Sequence, residues 1–581
     1  MSRSVLPAVL LFLALPLAAA PGGVISGPVG EKLDSYLTRL EGHGFAGSIL
    51  VAKEGRILLH KGYGLADREK GIPFTPETVF DIGSITKQFT AAAILRLESE
   101  GKLKVIDPLG KYFDGVPEDK AGITLHHLLT HSAGLEDVFS GDYDEMPKER
   151  LVQAALASKL LWPPGTRYRY SNAGYSLLAM VVEKVSGQPY ETYLRETFFK
   201  PADMEKTGYR RPAWKPEELA HGYRGDEPWG TPLDKNWAPD GPWWTLRGNG
   251  GILSTTGDLY KWHLALEKGE LLSKEAQAKA YTPHVPEDEE GSSHYGYGWA
   301  IDKGPGGTRR IAHNGGNGIF AADFQRYPDD RLVILTGSAQ SDFPSIVVAE
   351  QLSRLLFGQE PPQPPAVVPQ DPAALAKLAG TYDMPGGGRL VVAAVPARPG
   401  RTAGLSIVPE GREAFAALAG VSAADRERNA AREAQVTRAL EAVRKGDYKP
   451  LHELYGAREP LEEVTARSRQ AWSSLETENG PFQRFEVLGT GLAASGRPVT
   501  WVRLHFERGT QAVAYVWEGP IVAVVRFTSA PSGSVFLPVG PRELAAFEPR
   551  TGRVARVAFE TGEGGAATLV VGETRAKRGR G

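Results

Sequence analysis

Six prolines lie between Gly358 and Pro372, and this stretch limits more than any other how the chain can fold. Proline lacks a backbone N–H and fixes its own φ, so such a segment forms an extended spacer rather than a packed helix or sheet. The 581 residues also exceed what one hydrophobic core usually holds. We therefore predict a linker over 358–372, with a large domain over 28–357 before it and smaller domains after it.

The residues before the linker alternate helical patterns with short β-rich runs. The pattern predicts strands over 46–52, 56–61, 308–313, 318–327 and 331–338 and a closing helix over 345–357. Lys53-Glu54-Gly55, between the first two strands, is a turn sequence typical of a hairpin. No long linker interrupts these elements, so one large mixed domain is predicted.

A serine and a lysine lie three residues apart in Ser84-Ile85-Thr86-Lys87, where a helix is predicted to begin. Residues three apart share a helix face. Unpaired N–H groups in a first turn favour developing negative charge, and an amine of lowered pKa can take a proton from a serine hydroxyl. Ser84 and Lys87 are therefore a candidate nucleophile and base. The alternative is a solvated helix start with a capping serine and a surface lysine.

Two further segments carry side chains suited to the same chemistry. Tyr170-Ser171-Asn172 precedes a helical run over 175–185. A phenol there can take a proton if positive charge stabilises its phenolate, and the Asn172 amide can hold a lysine and a substrate carbonyl. His313-Asn314-Gly315-Gly316 ends a predicted strand, and its glycines let a substrate lie close to the backbone.

In this order, Ser-x-x-Lys, Tyr-Ser-Asn and His-x-Gly resemble the active-site motifs of the class C β-lactamase and low-molecular-weight penicillin-binding protein family. That family includes serine β-lactamases, D-alanyl-D-alanine carboxypeptidases, D-aminopeptidases and esterases. Residues 123–135 and 250–258 are also similar to family segments. The resemblance covers residues 28–357 and implies an α+β domain, with an antiparallel sheet flanked by helices and a helical subdomain.

The resemblance also implies a role for each residue of the first two motifs. Ser84 would be the acylated nucleophile, and Lys87 the amine that activates it. Tyr170 would be the general base in acylation and would return the proton to the leaving group. Asn172 would help to position Lys87 and the substrate amide.

The third motif is implied to bind the substrate through His313, Gly315 and Gly316, with an oxyanion hole formed by the N–H groups of Ser84 and Gly316. His313 stands where class C β-lactamases have a lysine. An unperturbed imidazole is mostly neutral at pH 7, so recognition of a β-lactam carboxylate should be weaker. We predict that activity depends on pH through His313.

These features together predict a serine hydrolase that forms an acyl-enzyme ester on Ser84 and acts on a peptide of D-amino-acid type or on an ester. The expected partner is a small-molecule or peptide substrate, with peptidoglycan-derived peptides among the candidates. Two alternatives remain open, a β-lactamase and a penicillin- or peptide-binding sensor without turnover. A third hypothesis places the functional ligand site in the C-terminal half. The oligomeric state is not predicted.

The C-terminal half changes from short strands to helices and back to strands. Helices are predicted over 423–444 and 460–475, with a shorter helix between them that ends at residue 455. Strands are predicted over 482–488, 499–506, 511–517 and 521–527. This order resembles the curved α+β cone of the nuclear transport factor superfamily. The flanking stretches 378–382 and 546–554 look like the first and last strands of a small lipocalin-like β-barrel.

We therefore predict a β domain in two parts, over 373–420 and 529–574, with the cone inserted over 421–528. The alternative is two consecutive small β-rich domains. Residues 575–581 are predicted to be a basic tail.

The charge of the chain and its N-terminal segment predict which partners it binds and where the protein is located. The formal net charge of −2 gives no pull toward nucleic acid, so no nucleic-acid partner is expected. Arg3, the apolar run 5–17 and Ala18-Ala19-Ala20 have the order of a secretory signal over residues 1–20, with an uncleaved anchor as the alternative. No other segment is long and apolar enough to cross a bilayer. We expect export to a bacterial periplasm or the medium.

No metal or cofactor is predicted. The chain has no cysteine, which excludes disulfides, a thiol nucleophile and Cys-based zinc sites. His127 and His131 have the spacing of zinc ligands on a helix, but no glutamate gives the H-E-x-x-H arrangement and no third ligand follows.

Overall fold

The computed structural model describes residues 23–340, 343–492, 497–528, 534–561 and 567–579, so the predicted signal at 1–20 lies outside the described residues. The chain divides into two compact units. The first contains residues up to 34 and 46–357, and the second contains residues 35–45 and 358–581. The long segment of the first unit ends at Phe357, one residue before the predicted linker.

The first unit is built around an antiparallel sheet. The strands in chain order are β1 (Val24–Ile25), β2 (Gly47–Lys53), β3 (Arg56–Tyr63), β4 (Leu65–Asp67), β5 (Ile72–Pro73), β6 (Phe80–Asp81), β7 (Gly222–Arg224), β8 (Glu227–Gly230), β9 (Leu253–Ser254), β10 (Val285–Pro286), β11 (His294–Tyr295), β12 (Ala300–Lys303), β13 (Arg309–Gly316), β14 (Ala321–Tyr327) and β15 (Leu332–Ser338). Among the described residues, nine of them pair in the order β1-β3-β2-β15-β14-β13-β12-β11-β10. All the strands predicted for this region are confirmed, with ends shifted by up to three residues.

The β2–β3 hairpin shows how local sequence sets the register. Lys53 pairs with Arg56, which leaves Glu54 and Gly55 as a two-residue loop. Both have positive φ, 53° and 76°, as a type I′ turn requires. Glycine adopts this conformation without strain, so the predicted hairpin signal is confirmed.

Helices cover the sheet and form a separate layer. They are α1 (Gly27–Gly42), α2 (Thr86–Ser99), α3 (Leu125–Leu129), α4 (Lys148–Ala157), α5 (Asn172–Ser186), α6 (Tyr190–Leu194), α7 (Thr256–Lys268), α8 (Lys274–Ala280) and α9 (Ser345–Leu356). In α2, the structure buries every residue from Thr86 to Leu95. In α5, Ala173 to Val182 are likewise buried. A helix enclosed on all sides is held rigidly, and these two helices carry Lys87 and Asn172.

The second unit contains a closed antiparallel barrel. Its elements, in chain order, are α10 (Pro372–Ala376), β16 (Gly380–Asp383), β17 (Arg389–Val395), β18 (Gly404–Glu410), α11 (Arg412–Ala419), α12 (Ala423–Arg444), α13 (Lys449–Leu454), α14 (Leu461–Asn479), β19 (Phe482–Leu492), β20 (Pro498–Phe506), β21 (Gly509–Glu518), β22 (Ile521–Thr528), β23 (Ser534–Pro538), β24 (Glu543–Glu548), β25 (Arg553–Thr561), β26 (Ala567–Val571) and β27 (Thr574–Arg578). The barrel order is β16-β17-β18-β23-β24-β25-β26-β27. Its interior packs Tyr382, Leu390, Leu405, Phe536 and Leu569, which are all buried.

Helices α11–α14 and the four-stranded sheet β19-β20-β21-β22 come between the third and fourth barrel strands in the chain. The long helix α12 begins at Ala423, as the predicted helix over 423–444 requires, and Ser422 and Asp425 form a capping box at its start. Its buried face, with Val436, Leu440 and Val443, packs in one core with β20 and β21. This chain order is the one expected for an insertion.

The prediction of a basic tail over residues 575–581 is wrong in part. Residues 575–578 are not a tail, because Thr574–Arg578 forms β27, which pairs with β26 and with β16 and closes the barrel. Ala576 is fully buried, so the alternation of basic residues around one alanine is a half-buried strand pattern. In the proline-rich stretch, neither a helix nor a strand occurs between Gly358 and Asp371.

None of the helices within the described ranges has both the length and the apolar character needed to span a lipid bilayer.

Candidate active site

Ser84 lies in a 3₁₀ turn, Gly83–Ile85, that leads directly into α2. This differs slightly from the predicted first turn of the α-helix, because Gly83 has a positive φ of 50° and turns the chain sharply after β6. Lys87, one turn further, places its Nζ 3.1 Å from the Ser84 Oγ. Ser84 is half-buried and Lys87 fully buried, so the alternative of a surface lysine is excluded.

The surroundings of Lys87 fix the direction of its lone pair. Its Nζ donates to the Asn172 Oδ1 at 2.7 Å and to the Asn249 carbonyl at 2.8 Å. Both oxygens can only accept, so they occupy the two N–H bonds of a neutral amine. The remaining lone pair then faces the Ser84 hydroxyl.

Burial also favours that neutral form. Desolvation lowers the pKa of Lys87 well below its usual value, and the charges of Asp137 and Asp142 oppose this only in part. A neutral, correctly directed amine next to a serine hydroxyl is the arrangement of a general base and a nucleophile.

Tyr170 stands on the other side of the serine. Its phenol is hydrogen-bonded with Ser84, and its ring centroid lies 4.6 Å from the Lys87 Nζ. Burial raises the pKa of Tyr170, while the hydrogen bond with Ser84 lowers it less strongly. The phenol therefore stays protonated at neutral pH, which runs against the prediction of a phenolate base and suits a proton donor.

Asn172 is held by a residue that the sequence did not indicate. The Asp137 Oδ1 accepts from both the Asn172 backbone N–H, at 3.0 Å, and its Nδ2, at 2.9 Å. With the amide nitrogen bound to a carboxylate, the Oδ1 must face Lys87. Ser171 caps the N-terminus of α5 by accepting from the Gly174 N–H, which fixes the start of the helix.

The His131 ring packs against the Tyr170 ring. The two ring centroids lie 4.2 Å apart, and the His131 Nδ1 accepts from the Ser171 N–H at 3.0 Å. His131 lies beyond the end of α3 and has a positive φ of 57°, so it does not share a helix face with His127.

The third motif lies directly against the nucleophile turn. Ideal Cβ atoms on Gly83 and Gly315 would stand 2.3 Å from the Gly316 nitrogen and 2.6 Å from the Ser84 nitrogen. No side chain fits at either position. The glycines of β13 thus allow the two backbone segments to touch, which brings the N–H groups of Ser84 and Gly316 into one neighbourhood.

A buried carboxyl ties these two segments together. The Asp81 Oδ1 accepts from the Gly83 N–H at 2.7 Å, and its Oδ2 accepts from the Asn317 Nδ2 at 3.0 Å. The Asn317 Oδ1 in turn accepts from the backbone N–H groups of Ile319 and Phe320. Burial raises the pKa of Asp81 to about 7, and the hydrogen bond from Gly83 opposes the rise. We call Asp81 and Asn317 the carboxyl–amide bridge.

His313 is neutral in this structure. Its Nδ1 lies 2.6 Å from the Asn314 carbonyl, which can only accept, so this nitrogen carries the proton. The Nε2 then accepts from the Tyr295 hydroxyl at 2.8 Å. Burial is the main cause that lowers the pKa of His313 to about 3, and the hydrogen bond to the Asn314 carbonyl opposes the fall only in part. The prediction of a titration near neutral pH at His313 is therefore corrected.

The structure thus brings Ser84, Lys87, Tyr170 and Asn172 together, with Gly315 and Gly316 beside the serine and His313 behind Tyr295. The sequence missed six positioning residues, which are Asp81, His131, Asp137, Asn249, Tyr295 and Asn317. Some left a signal, because Asp81 and Asn317 flank two motifs, His131 lies in the family-like stretch 123–135, and Asn249 precedes the stretch 250–258. Asp137 and Tyr295 left none.

A single group in the described part of the chain has the ligand spacing of a metal site. It consists of Asp67, Glu69 and His221, with ligand atoms within 4.8 Å of one another. Asp67 already pairs with the Lys70 ammonium at 3.2 Å and accepts from its backbone N–H. The Lys70 ammonium therefore already offsets the charge of the Asp67 carboxylate.

Comparison with known proteins agrees with this geometry. The model of a family described as "Beta-lactamase" matches residues 33–350. Penicillin-binding protein 4* of Bacillus subtilis is 30% identical over 360 residues, covering 58% of this chain and 77% of that protein. "Protein flp" of Staphylococcus aureus is 34% identical over 191 residues, covering 32% of this chain and 38% of that protein.

Two solved structures share the fold. The octameric penicillin-binding protein homologue from Pyrococcus abyssi aligns with a TM-score of 0.53 at 21% identity and covers 94% of this chain and 99% of its own. EstCE1, described as a hydrolase with promiscuous acyltransferase activity, aligns with a TM-score of 0.50 at 21% identity, over 57% of this chain and 98% of its own.

Proposed function

The chain belongs to the β-lactamase family of serine hydrolases, and from this we propose that it hydrolyses a peptide of D-amino-acid type or an ester through an acyl-enzyme intermediate on Ser84. The observation that carries the proposal is the placement of Lys87. Its two N–H bonds are held by acceptors, and its Nζ faces the Ser84 hydroxyl at 3.1 Å.

In acylation, the neutral Lys87 amine takes the Ser84 proton while the Oγ forms a bond to the substrate carbonyl carbon. The negative charge that develops on the carbonyl oxygen is met by the N–H groups of Ser84 and Gly316. One such donor is typically worth about 3 kcal/mol of transition-state stabilisation. When the oxyanion collapses, the bond to the leaving amine or alcohol breaks. That group takes the Tyr170 proton, and Tyr170 is reprotonated by the Lys87 ammonium.

Deacylation repeats these steps with water as the nucleophile. Lys87 takes a proton from the water as its oxygen bonds to the ester carbon. The bond to the Ser84 Oγ then breaks, and the Oγ receives a proton through Tyr170. The free acid leaves, and serine, lysine and tyrosine return to their starting protonation states.

A substrate panel tests the proposal and separates its alternatives. The panel contains a nitrophenyl ester, a D-alanyl-D-alanine peptide and a chromogenic cephalosporin, each measured from the first turnover. Continuous turnover of the ester or the peptide supports the hydrolase. A single stoichiometric burst without turnover would identify a sensor instead, and preference for the cephalosporin would identify a β-lactamase.

Replacing Asp137 tests the orientation of Asn172. In Asp137→Ala the amide is free to rotate, and a misplacement of this kind is expected to lower kcat by about 10- to 100-fold. Asp137→Asn keeps an oxygen acceptor but removes a charge that raises the pKa of Lys87, so its pH–rate curve should move to lower pH with little loss at the plateau.

The matched control is Asp144→Ala in the same loop, because Asp144 is exposed and bonds only to Ser140 and Gly141 among the described residues. It should change kcat less than about twofold. An unchanged kcat in Asp137→Ala would contradict the positioning role.

The carboxyl–amide bridge allows a reciprocal test. In Asp81→Asn, one amide nitrogen must face either the Gly83 N–H or the Asn317 amide, so two donors oppose each other. We expect kcat to fall by about 10- to 100-fold as the oxyanion segment shifts. The double variant Asp81→Asn with Asn317→Asp restores a donor–acceptor pair and should recover most of the loss. If kcat of the double variant is no higher than kcat of either single variant, the role of the carboxyl–amide bridge is contradicted.

His313 gives a prediction about pH. Because His313 is already neutral, His313→Gln should leave the shape of the pH–rate curve between pH 5 and 8 unchanged. His313→Lys instead adds positive charge close to Lys87, which lowers the pKa of Lys87 further and moves the rising limb to lower pH. The pH–rate curves of both variants and of wild type check this. If wild type shows an inflection between pH 5 and 8 that is missing in His313→Gln, the prediction is contradicted.

Export and the finer fold assignments belong to the same proposal. We propose that residues 1–20 direct export, supported by the charge, apolar run and small residues of that segment. N-terminal sequencing of the secreted protein would test the cleavage. The likeness of the barrel to lipocalins and of the inserted region to the nuclear transport factor cone is supported by the strand order of each.

A further inference from the structure

A cavity of about 410 Å³ lies between α14 and the concave face of β20–β22 in the second unit. Its size falls within the range of about 300–1,000 Å³ that is usual for small-molecule sites. The strand side is formed by Leu504, Val513, Tyr515 and Val522. The cavity therefore has an apolar floor on a rigid sheet.

The spacing of side chains along α14 explains why this space is left open. Val464, Ser468 and Trp472 are four residues apart and all line the cavity. Val464 is buried near the start of the helix, and about two turns later Trp472 packs on Phe482 with ring centroids 5.0 Å apart. Ser468, between them, is too small to reach the sheet. The helix is thus supported at two points and stands off the strands at the third.

One polar group is present in the floor of this cavity without a partner. Tyr515 is 4% exposed and lines the cavity, and no hydrogen bond joins its hydroxyl to another described residue, so the hydroxyl is available to a molecule in the cavity. A ligand oxygen that accepts from this hydroxyl gains the net value of one hydrogen bond, about 0.5–1.5 kcal/mol. Burial raises the pKa of Tyr515, so the phenol remains a donor.

The charges at the mouth pair with one another. Arg467 contacts the Glu459 carboxylate at 2.6 Å, and Arg458 lies 3.8 Å from Glu518. The His452 Nε2 is bonded to the Glu459 carbonyl at 2.7 Å. No cation among these residues is left to select an acid, which favours an uncharged ligand.

We propose that this cavity binds a small, uncharged, mainly apolar molecule with one hydrogen-bond acceptor, such as a ketone, an aldehyde or an ester, whose oxygen accepts from Tyr515. This function is separate from the hydrolysis assigned to Ser84. It gives the C-terminal half a binding role of its own.

Two probes of the same shape test the inference on the full-length protein. 2-Acetylnaphthalene carries a carbonyl acceptor, whereas 2-ethylnaphthalene does not. Titration calorimetry is expected to show tighter binding of the ketone. Tyr515→Phe should weaken the ketone by about 5- to 10-fold, the value of one hydrogen bond, and leave the hydrocarbon unchanged.

A second variant blocks the space. Ser468→Phe places a ring in the gap under α14 and should abolish binding of both probes while raising the melting temperature, since it fills a cavity. Ester hydrolysis should persist in both variants, so failure of the cavity and failure of the hydrolase are distinguishable. No binding of either probe to wild type, or an equal effect of Tyr515→Phe on both probes, would overturn the inference.

Discussion

Ser84→Ala is expected to reduce kcat/KM by at least about 10⁴-fold, because it removes the atom that forms the acyl bond. Alanine keeps the Cβ and removes only one oxygen atom, so the fold and the position of Lys87 should persist. Intact-mass measurement after incubation with a slow acylating ester should show the added acyl group on wild type and none on the variant.

Ser99→Ala is the matched control at the other end of the same helix. Ser99 is exposed, and its hydroxyl donates only to the Leu95 carbonyl among the described residues. Its removal should leave turnover and acyl labelling unchanged. Labelling that survives in Ser84→Ala would place the nucleophile elsewhere.

Lys87→Met is expected to lower kcat/KM by about 10³-fold, since general-base catalysis by one group contributes about 10²–10⁴-fold. Methionine has a similar length and no charge, so it fills the buried position. In wild type the base must be neutral, so kcat/KM rises with pH through the lowered pKa of Lys87 and then levels off. The remaining activity of the variant should lack this rise.

Stability provides a second signature of Lys87. Its pKa is lower in the folded than in the unfolded protein, so the unfolded chain binds more protons between these two values, and the free energy of unfolding rises with pH across that interval. The melting temperature of wild type relative to Lys87→Met should therefore increase from pH 6 to pH 9. A constant difference would mean that Lys87 is charged in the folded protein.

The sequence predicts the parts of this molecule that depend on local pattern. The hairpin at Glu54 and Gly55 and the helix α12 are set by local sequence, and each was found where its residues predict it. β27 was missed because it is short and contains a single buried alanine between basic residues. A short basic segment near the C-terminus is also typical of an unstructured tail.

Some features of the candidate site could likewise be predicted from local sequence, and others could not. The residues with a motif, such as Ser84 and Lys87, could be named in advance. Their protonation states could not, because the pKa values of Tyr170 and His313 depend on burial and on partners distant in the chain. Asp137 is the clearest case, since it reaches Asn172 from 35 residues away and belongs to no motif.

The placement of the inserted region between two barrel strands has a consequence for folding. Glu410 ends the third barrel strand and Ser534 begins the fourth, and Leu405 must pair with Phe536 to join them. Closing a long unfolded loop costs entropy, and a compact insert shortens the gap to be closed. Refolding of the barrel should therefore wait for the insert. Until then β18 and β23 remain unpaired edges open to association with other chains.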